Sequence, residues 1–404
     1  MLCLKHPSFA GRVRRGVFFV TLFGVTAATA LPLAAQQTQT TPPSKPAPQA
    51  PAEAGGPQGD IGPIAVPKKK EEAPAPPPKP VGPKKIEGMP DYSIKVDTAL
   101  VTVPVLVTTK DGQFIPGLKQ DNFRVLEDGV PQKVAKFEIS QAPITAVLLV
   151  EFANNNYFYR FMYDALNASY NFAATLKPED WIAVVSFDMK PMILQDFTQD
   201  KQAVLAALNS LRIPGFSETN VFDALYDTLD RVEGLEGRKY VVLISRGCDT
   251  FSRMTYDKVL KKVKETKNVT IFTLSTGEAL RIWLEAQGYG QGMGGLTPCT
   301  SQMDLLQADN EMQTFAKLTG GRWFKPRFEG ELPEIFRDIG QNIRNQYVLS
   351  YRPSNPKLDG SYRKLKVEVV APDGGPLHVK DQKGKDLKYT IIAREGYTAK
   401  HEVE

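Results

Sequence analysis

Four short apolar runs, separated by segments with helical spacing, constrain the fold of this chain more than any other feature of its sequence. The runs are TAVLLVEF, WIAVVSFD, KYVVLIS and VTIFTLS, beginning at residues 145, 181, 239 and 269. Between them, segments such as FMYDALNASYNFAATL and NVFDALYDTLDRV carry apolar residues at the spacing of an amphipathic helix. This alternation of strands and helices predicts an α/β fold with a doubly wound, mainly parallel sheet.

Both flanks of this region have β-type sequence. Residues 92–141 include ALVTVPVLVTT and NFRVLEDG, and residues 345–398 include QYVLSYRPS and YRKLKVEVVAP, with turn sequences between them. A lone hairpin at either end would be marginally stable. We therefore expect the two segments to form one small β-sandwich-like domain, with the α/β domain of residues 142–344 inserted between them. The alternative is two separate β extensions along the α/β body, and residues 399–404 form a short tail.

The N-terminus has the composition of a secretory signal. Its first 15 residues contain four basic residues and no acidic one: Lys5, Arg12, Arg14 and Arg15. An apolar run and small residues follow, which predicts a signal peptide over residues 1–35. The alternative is an uncleaved signal anchor, which would be the chain's one contact with a membrane.

Residues 36–91 consist mostly of Pro, Ala, Gly, Gln and Lys, as in EEAPAPPPKPVGPKK. Such a segment cannot bury enough apolar area to fold, and it favours extended polyproline conformations. It is interpreted as a disordered, semi-rigid tether that holds the folded part away from a membrane or wall.

The charge of the chain argues against nucleic acid as a partner. Removing the four basic residues of the signal from the formal net charge of +5 leaves +1. A nearly neutral protein lacks the basic footprint that nucleic-acid binding requires. We therefore expect a protein that binds no nucleic acid. The predicted signal peptide places it outside the cytoplasm, as a secreted or periplasmic protein of the cell envelope.

The order of these elements resembles a von Willebrand factor type A domain over residues 142–344. The residues that carry the resemblance include TAVLLVEFANN, ETNVFDALYDTL and VVLISRGCDT. The flanks resemble the secreted VWFA-related Acidobacterial domain family, chiefly through IRNQYVLSYRPSNPKLDGSYRKLKVEV. The resemblance implies a binding or adhesion module, often with a metal-ion-dependent adhesion site at the carboxyl edge of the sheet.

Mapping that metal site onto this chain gives a degenerate motif. The family pattern is D-x-S-x-S after the first strand, a Thr in a later loop and an Asp after the fourth strand. Here Glu151 stands at the first Asp, Ala153 and Asn155 at the two Ser positions, Thr219 at the Thr and Arg246 at the second Asp. Formal charge at the mapped ligands falls from minus two to zero, which is a poor match for Mg²⁺ or Ca²⁺.

We therefore expect no tight divalent-ion binding and no cofactor. Asp249 is the one obvious rescue ligand, and a retained metal site would use Glu151, Asn155 and Thr219. Arg246 instead stands where its guanidinium can replace the cation and pair with Glu151. Two interpretations stay open, namely that the pair recognises an acidic or polar group of a partner, or that it closes a retired site. In either case we expect a partly exposed pair with Thr219 and Asn155 bonded around it.

The remaining reactive residues are few. Cys248 and Cys299 follow the fourth and fifth strands, so both are expected at the same edge of the sheet, and export favours a disulfide between them. Carboxylates Asp223 and Asp227 have the i,i+4 spacing of a solvated or capping helix face.

The sequence supports a non-enzymatic binding or adhesion module that recognises a protein or a cell-envelope polymer at the carboxyl edge of the sheet. The candidate ligand-binding residues are Glu151, Asn155, Thr219, Arg246 and Asp249. A structural envelope protein without a single ligand site is the first alternative. A hydrolase or thiol enzyme using Cys248 or the acidic residues is the second.

Overall fold

The structure is a computed structural model that describes residues 100–110, 112–139, 142–153, 159–212, 217–286, 301–380, 384 and 386–400. The predicted signal and tether lie outside these ranges, so both stay predictions. No helix within the described ranges is long and apolar enough to cross a membrane.

In the described part of the chain, the N-terminal flank forms four strands, and six strands of the α/β domain follow. The first four are β1 (Val101–Thr109), β2 (Phe123–Glu127), β3 (Val130–Gln132) and β4 (Val134–Ile139). The next six are β5 (Ile144–Glu151), β6 (Trp181–Phe187), β7 (Pro191–Thr198), β8 (Arg238–Ser245), β9 (Val269–Ser275) and β10 (Trp323–Phe324).

The α/β sheet has the spatial order β10-β9-β8-β5-β6-β7, in which β7 is antiparallel and the other strands are parallel. Counted along the domain, this is the doubly wound order 3-2-1-4-5-6, so the predicted fold class is confirmed. Every residue of β5 is buried, as its apolar run predicts for a central strand covered on both faces. The strand order reverses at β5 and β8, and such a switch point is where open α/β sheets bind ligands.

Among the described residues, seven α-helices cover the two faces of this sheet. They are α1 (Tyr159–Thr175), α2 (Lys201–Ser210), α3 (Val221–Glu233), α4 (Tyr256–Glu265), α5 (Gly277–Ala286), α6 (Gln302–Thr319) and α7 (Leu332–Arg344). Buried residues of α1, α2 and α7 form one core with the sheet, and those of α3, α4 and α6 form a second core on the opposite face.

The other six strands that the described ranges contain come from the C-terminal flank. They are β11 (Tyr347–Tyr351), β12 (Tyr362–Val369), β13 (Val379–Lys380), β14 (Asp386–Leu387), β15 (Tyr389–Ala393) and β16 (Gly396–Thr398). Strands of both flanks combine in two antiparallel sheets, β15-β1-β11-β4 and β16-β12-β2-β3, which share one hydrophobic core. The expected β-sandwich built from both flanks is therefore confirmed.

A buried ion pair ties the two sheets of the sandwich together. Glu127 on β2 accepts hydrogen bonds from Arg363 Nη1 on β12 at 3.0 Å and from the hydroxyl of Tyr351 on β11 at 2.6 Å. Because Tyr351 belongs to the other sheet, this carboxylate links the two layers as well as two neighbouring strands.

The sandwich packs against the amino edge of the α/β sheet. Glu395 donates its backbone N–H to the carbonyl of Leu318 near the end of α6, and Lys400 pairs with Glu265 at the end of α4 at 2.5 Å. Gly320, which ends α6 with φ +77°, leaves room for the backbone of the sandwich, since a Cβ there would lie 2.6 Å from the amide nitrogen of Arg394. Helices of a doubly wound fold end where the strands begin, so these contacts lie at the pole opposite the carboxyl edge.

The two connections between the domains meet at one buried carboxylate. Asp180 accepts the backbone N–H of Ile144, the first residue of β5, at 3.1 Å and that of Lys177 at 2.6 Å. The guanidinium of Arg344, the last residue of α7, pairs with the same carboxylate. Asp180 thus links the segment that enters the α/β domain to the segment that leaves it.

Candidate functional site

Glu151 and Arg246 lie at the switch point of the sheet. Glu151 is the last residue of β5, and Arg246 directly follows Ser245, the last residue of the neighbouring β8. Adjacent parallel strands bring their carboxyl ends together, so the two side chains meet although 95 residues separate them in sequence.

The two residues form a salt bridge, and both carboxylate oxygens of Glu151 accept hydrogen bonds. Arg246 Nε donates to Glu151 Oε1 at 2.6 Å. The other carboxylate oxygen, Oε2, accepts the backbone N–H of Arg246 at 2.8 Å and the hydroxyl of Ser245 at 2.7 Å. The expectation that Glu151 and Arg246 lie within salt-bridge reach is confirmed.

The expected partial exposure of this pair is wrong. The side chain of Glu151 is 4% exposed and that of Arg246 is 7% exposed. The next residue, Gly247 (φ +81°), lies directly against α6, since a Cβ there would be 2.8 Å from Cγ of Met312 on that helix. The pair is therefore an internal contact of the fold.

The mapped metal-site residues that the structure describes do not fit a divalent ion. Both oxygens of Glu151 already accept hydrogen bonds, and the Arg246 guanidinium places a positive charge beside them. Ala153 offers no side-chain oxygen, and the Thr219 hydroxyl donates to the carbonyl oxygen of Cys248. Within the described ranges, no group of three or more His, Cys, Asp or Glu side chains has the arrangement of a metal site.

Thr219 and Asn155 were both expected to bond around the ion pair. For Thr219 this is wrong, because the residue instead anchors the loop that follows β8. Its backbone N–H donates to the hydroxyl of Thr250 at 2.8 Å, and its carbonyl accepts the backbone N–H groups of Thr250 and Phe251 at 2.9 Å. Asn155 lies outside the described residues, so its predicted role stays a prediction.

Asp249 holds the same loop and is not turned toward the ion pair. Its carboxylate accepts the backbone N–H of Phe222 on α3 at 3.2 Å and both the hydroxyl and the backbone N–H of Ser252, at 2.5 and 3.3 Å. Burial raises the pKa of Asp249, and these hydrogen bonds oppose that shift. Asp249 therefore closes a turn. The residue that the sequence offered as a rescue metal ligand has a structural role here.

Asp223, a buried carboxylate on α3, holds this loop from the neighbouring helix. It accepts the backbone N–H of Arg253 at 3.0 Å and that of Met254 at 2.8 Å. Asp227, its i,i+4 neighbour on α3, is exposed. The helical spacing therefore describes a solvated face for Asp227 alone, while Asp223 caps the loop.

Residues 246–255, which we call the β8–α4 loop, expose two side chains beyond these internal bonds. Phe251 is about half exposed, and the side chain of Arg253 is 93% exposed. Arg253 Nε lies 3.6 Å from Asp223 Oδ2, and the rest of the Arg253 side chain faces solvent. The loop thus combines a fixed backbone with an exposed aromatic ring and an exposed cation.

Cys248 lies within the buried part of this loop. It packs with Leu305 and Ala308 of α6 in a small apolar cluster. Cys299 lies outside the described residues, so the predicted disulfide stays a prediction.

Comparison with known proteins gives likenesses of structure. No family model matches the chain, and no curated protein matches it significantly. The von Willebrand factor type A protein from Catenulispora acidiphila aligns at 13% identity over 68% of this chain and 73% of that one, with a TM-score of 0.39. BatB from Bacteroides thetaiotaomicron aligns at 13% identity over 50% of this chain and 100% of that one, with a TM-score of 0.36. The von Willebrand factor domain of the type V pili tip protein Mfa5 from Porphyromonas gingivalis aligns at 13% identity over 50% of this chain and 95% of that one, with a TM-score of 0.36.

At these identities and TM-scores the likenesses say nothing about function, and the fold rests on the chain's own strand order. That order places two helical layers around five parallel strands and one antiparallel edge strand. The α/β domain therefore has a von Willebrand factor A-like fold, as the sequence resemblance implies.

Proposed function

We propose that this chain is an exported, tethered binding protein of the cell envelope, without enzymatic activity, that recognises a protein or an envelope polymer at the carboxyl edge of its α/β sheet. The observation that carries the proposal is the β8–α4 loop, which stands at that edge and exposes Phe251 and Arg253. Aromatic residues and arginine are the residue types that most often dominate protein interfaces.

The rigidity of the loop supports a role in recognition. Its backbone is held by Asp223, Asp249 and Thr219, each through hydrogen bonds shorter than 3.4 Å. A partner that binds a loop already fixed in one conformation avoids the entropy cost of ordering it. Rigid presentation of exposed side chains is therefore what a binding surface needs.

The placement of the domains also supports this site. The sandwich occupies the amino edge of the sheet, through the ends of α4 and α6. It therefore leaves the carboxyl edge uncovered.

The buried ion pair has an indirect part in this proposal. Glu151 accepts the backbone N–H of Arg246, the first residue of the β8–α4 loop. Because the pair is enclosed, it does not itself meet a partner's carboxylate. Glu151 and Arg246 are positioning residues that set where the loop leaves the sheet.

Catalysis by a cysteine is disfavoured by the burial of Cys248, since a reactive thiol needs access to its substrate. The binding experiment described next distinguishes this proposal from the alternative of a structural envelope protein without a defined ligand site.

The test compares retention on immobilised envelope proteins with retention on immobilised envelope polysaccharide. The full chain carries Phe251→Ser and Arg253→Ser together, and the matched control carries Leu358→Ser, an exposed apolar residue of the sandwich. We expect the double variant to lose at least tenfold in affinity for one of the two matrices, while the control binds as the unmodified chain does. Equal retention of all three proteins would contradict the proposal and favour the structural alternative.

A further inference from the structure

The free edge of the α/β sheet has features that the proposed function does not use. β7 is the last strand on one side, and among the described residues it pairs with β6 alone. Met192 and Ile193, neighbours on opposite faces of β7, are each about half exposed. An apolar edge strand of this kind is open to pairing with another strand.

The hydrogen-bond pattern shows which residues of β7 direct their polar backbone groups outward. The carbonyl of Phe187 on β6 accepts the N–H of Phe152, on the β5 side, so Phe187 turns away from β7. Pairs in an antiparallel ladder alternate, so Ser186 and Met192 exchange the bonds between β6 and β7, and Ile193, opposite Val185, faces outward. The N–H and C=O of Ile193 are therefore directed to the free side of the sheet.

A second copy of the chain fits this edge with two-fold symmetry. In an antiparallel pair, two outward-facing residues that lie opposite each other exchange two N–H···O=C bonds. If Ile193 lies opposite Ile193 of the second copy, the two outward-facing residues can exchange both bonds across a two-fold axis. We propose that β7 pairs with β7 of a second copy, centred on Ile193, to form a symmetric dimer.

The side chains in this register are complementary. Met192 lies opposite Leu194, and the two Ile193 side chains lie opposite each other, so apolar residues meet on both faces. Counted in the same register, Lys190 corresponds to Asp196 at each end, just outside the short ladder. Asp196 already binds Arg231 at 2.5 Å, but its side chain is 63% exposed and has oxygen lone pairs for a second donor.

The β7–β7 ladder is short, so we expect a weak dimer. Pro191 has no N–H to donate, and the register of β6 and β7 shifts beyond Ile193, so the ladder is confined to the residues around the centre. Such a small interface is expected to give a dissociation constant on the order of 10 µM.

The dimer has a consequence for recognition, and this consequence alone rests on the proposed function. In an antiparallel pair the strands of the two sheets run in opposite directions, so the two β8–α4 loops face opposite ways. The sandwich packs against α4 and α6, which flank β8 and β9, and so leaves β7 clear. A dimer would therefore bridge two surfaces.

Sedimentation equilibrium of the full chain from about 1 to 200 µM tests the dimer. We expect a concentration-dependent dimer that Ile193→Lys abolishes with no change in the urea midpoint, because the substituted side chain is half exposed. Lys190→Glu alone should weaken the dimer at least tenfold by placing two carboxylates opposite each other, and Lys190→Glu with Asp196→Lys should restore it.

The register has its own control. Under mild oxidation, Ile193→Cys should give a disulfide-linked dimer, whereas Met192→Cys should not, because Met192 lies opposite Leu194 rather than its own copy. A monomer at every concentration would overturn the proposal and leave the edge open to a strand of another protein. A dimer that Ile193→Lys leaves intact would place the interface elsewhere and would equally overturn it.

Discussion

Glu151 and Arg246 neutralise each other inside the protein, at the point where the resemblance to a metal-binding domain would place a cation. Nε of Arg246 lies 2.6 Å from Oε1 of Glu151, and the backbone N–H of Arg246 donates to Oε2. The guanidinium thus supplies, from within the chain, the positive charge that a metal ion would supply.

Breaking the buried pair should destabilise the fold strongly. Arg246→Glu places two carboxylates in one buried site, and we expect a loss of about 3–5 kcal/mol in the free energy of unfolding, measured by urea denaturation. The unchanged melting temperature that a partly exposed pair would give is not expected, because the pair is enclosed. Replacing both charges, with Glu151→Gln and Arg246→Met, should recover most of the loss.

Asp223 should control the local stability of the β8–α4 loop. Asp223→Ala removes the acceptor of the Arg253 and Met254 amides, so their hydrogen exchange should accelerate about tenfold, which corresponds to the loss of one hydrogen bond. Asp227→Ala is the control, since Asp227 is exposed on the same helix. Exchange that is unchanged in Asp223→Ala would mean that the loop is held by its other contacts alone.

Asp180 should stabilise the junction of the two domains far more than a surface ion pair would. Asp180→Ala leaves the Ile144 amide and the Arg344 guanidinium without their acceptor, and we expect a loss of about 3 kcal/mol in the free energy of unfolding. Asp196→Ala, which removes an exposed partner of Arg231, should cost less than about 1 kcal/mol. Equal losses in the two variants would contradict the role assigned to Asp180.

Lys239 should make stability rise with pH above about 8. Burial lowers the pKa of Lys239 to about 8, against the small opposing effect of Glu233. Between this value and the ordinary lysine pKa of about 10.5, the unfolded chain binds more protons than the folded one, so raising the pH favours folding. Relative to Lys239→Met, the unmodified protein should gain up to about 3 kcal/mol over this range, and the exposed Lys366→Met should behave as the unmodified protein does.

The core of the fold is predictable from the sequence because it depends on local patterns. The run Val147–Val150 predicts a strand buried on both faces, and the structure buries it so. The β-rich flanks predict a shared domain, and β1 pairs with β11 across the inserted α/β domain. The edge strand β7 was not predicted, because PMILQDFT shows neither a continuous apolar run nor strict alternation.

Contacts between residues distant in the sequence are less predictable than the core. The pairing of Glu151 with Arg246 follows from the resemblance, but the burial of the pair does not. Asp180 and Arg344 are separated by 164 residues, and no local pattern signals their contact. Phe251 and Arg253 are ordinary loop residues in the sequence, and only their exposure on a fixed backbone distinguishes them.

Restoring the motif should restore a metal site. Glu151→Asp, Ala153→Ser, Asn155→Ser and Arg246→Asp together return two negative charges and two hydroxyls to the mapped positions. We expect Mg²⁺ or Mn²⁺ to raise the melting temperature of this variant and to leave that of the unmodified protein unchanged. A variant carrying Arg246→Asp alone is the control, since it changes the charge without supplying the oxygen ligands.

Isothermal titration calorimetry of Mg²⁺, Mn²⁺ and Ca²⁺ into the unmodified protein tests the central claim most directly. If the Arg246 guanidinium has taken the place of the cation, none of the three ions should give a saturable heat up to about 1 mM. Saturable binding with a dissociation constant in the micromolar range, lost in Glu151→Gln, would show that Glu151 is a metal ligand and would contradict the account.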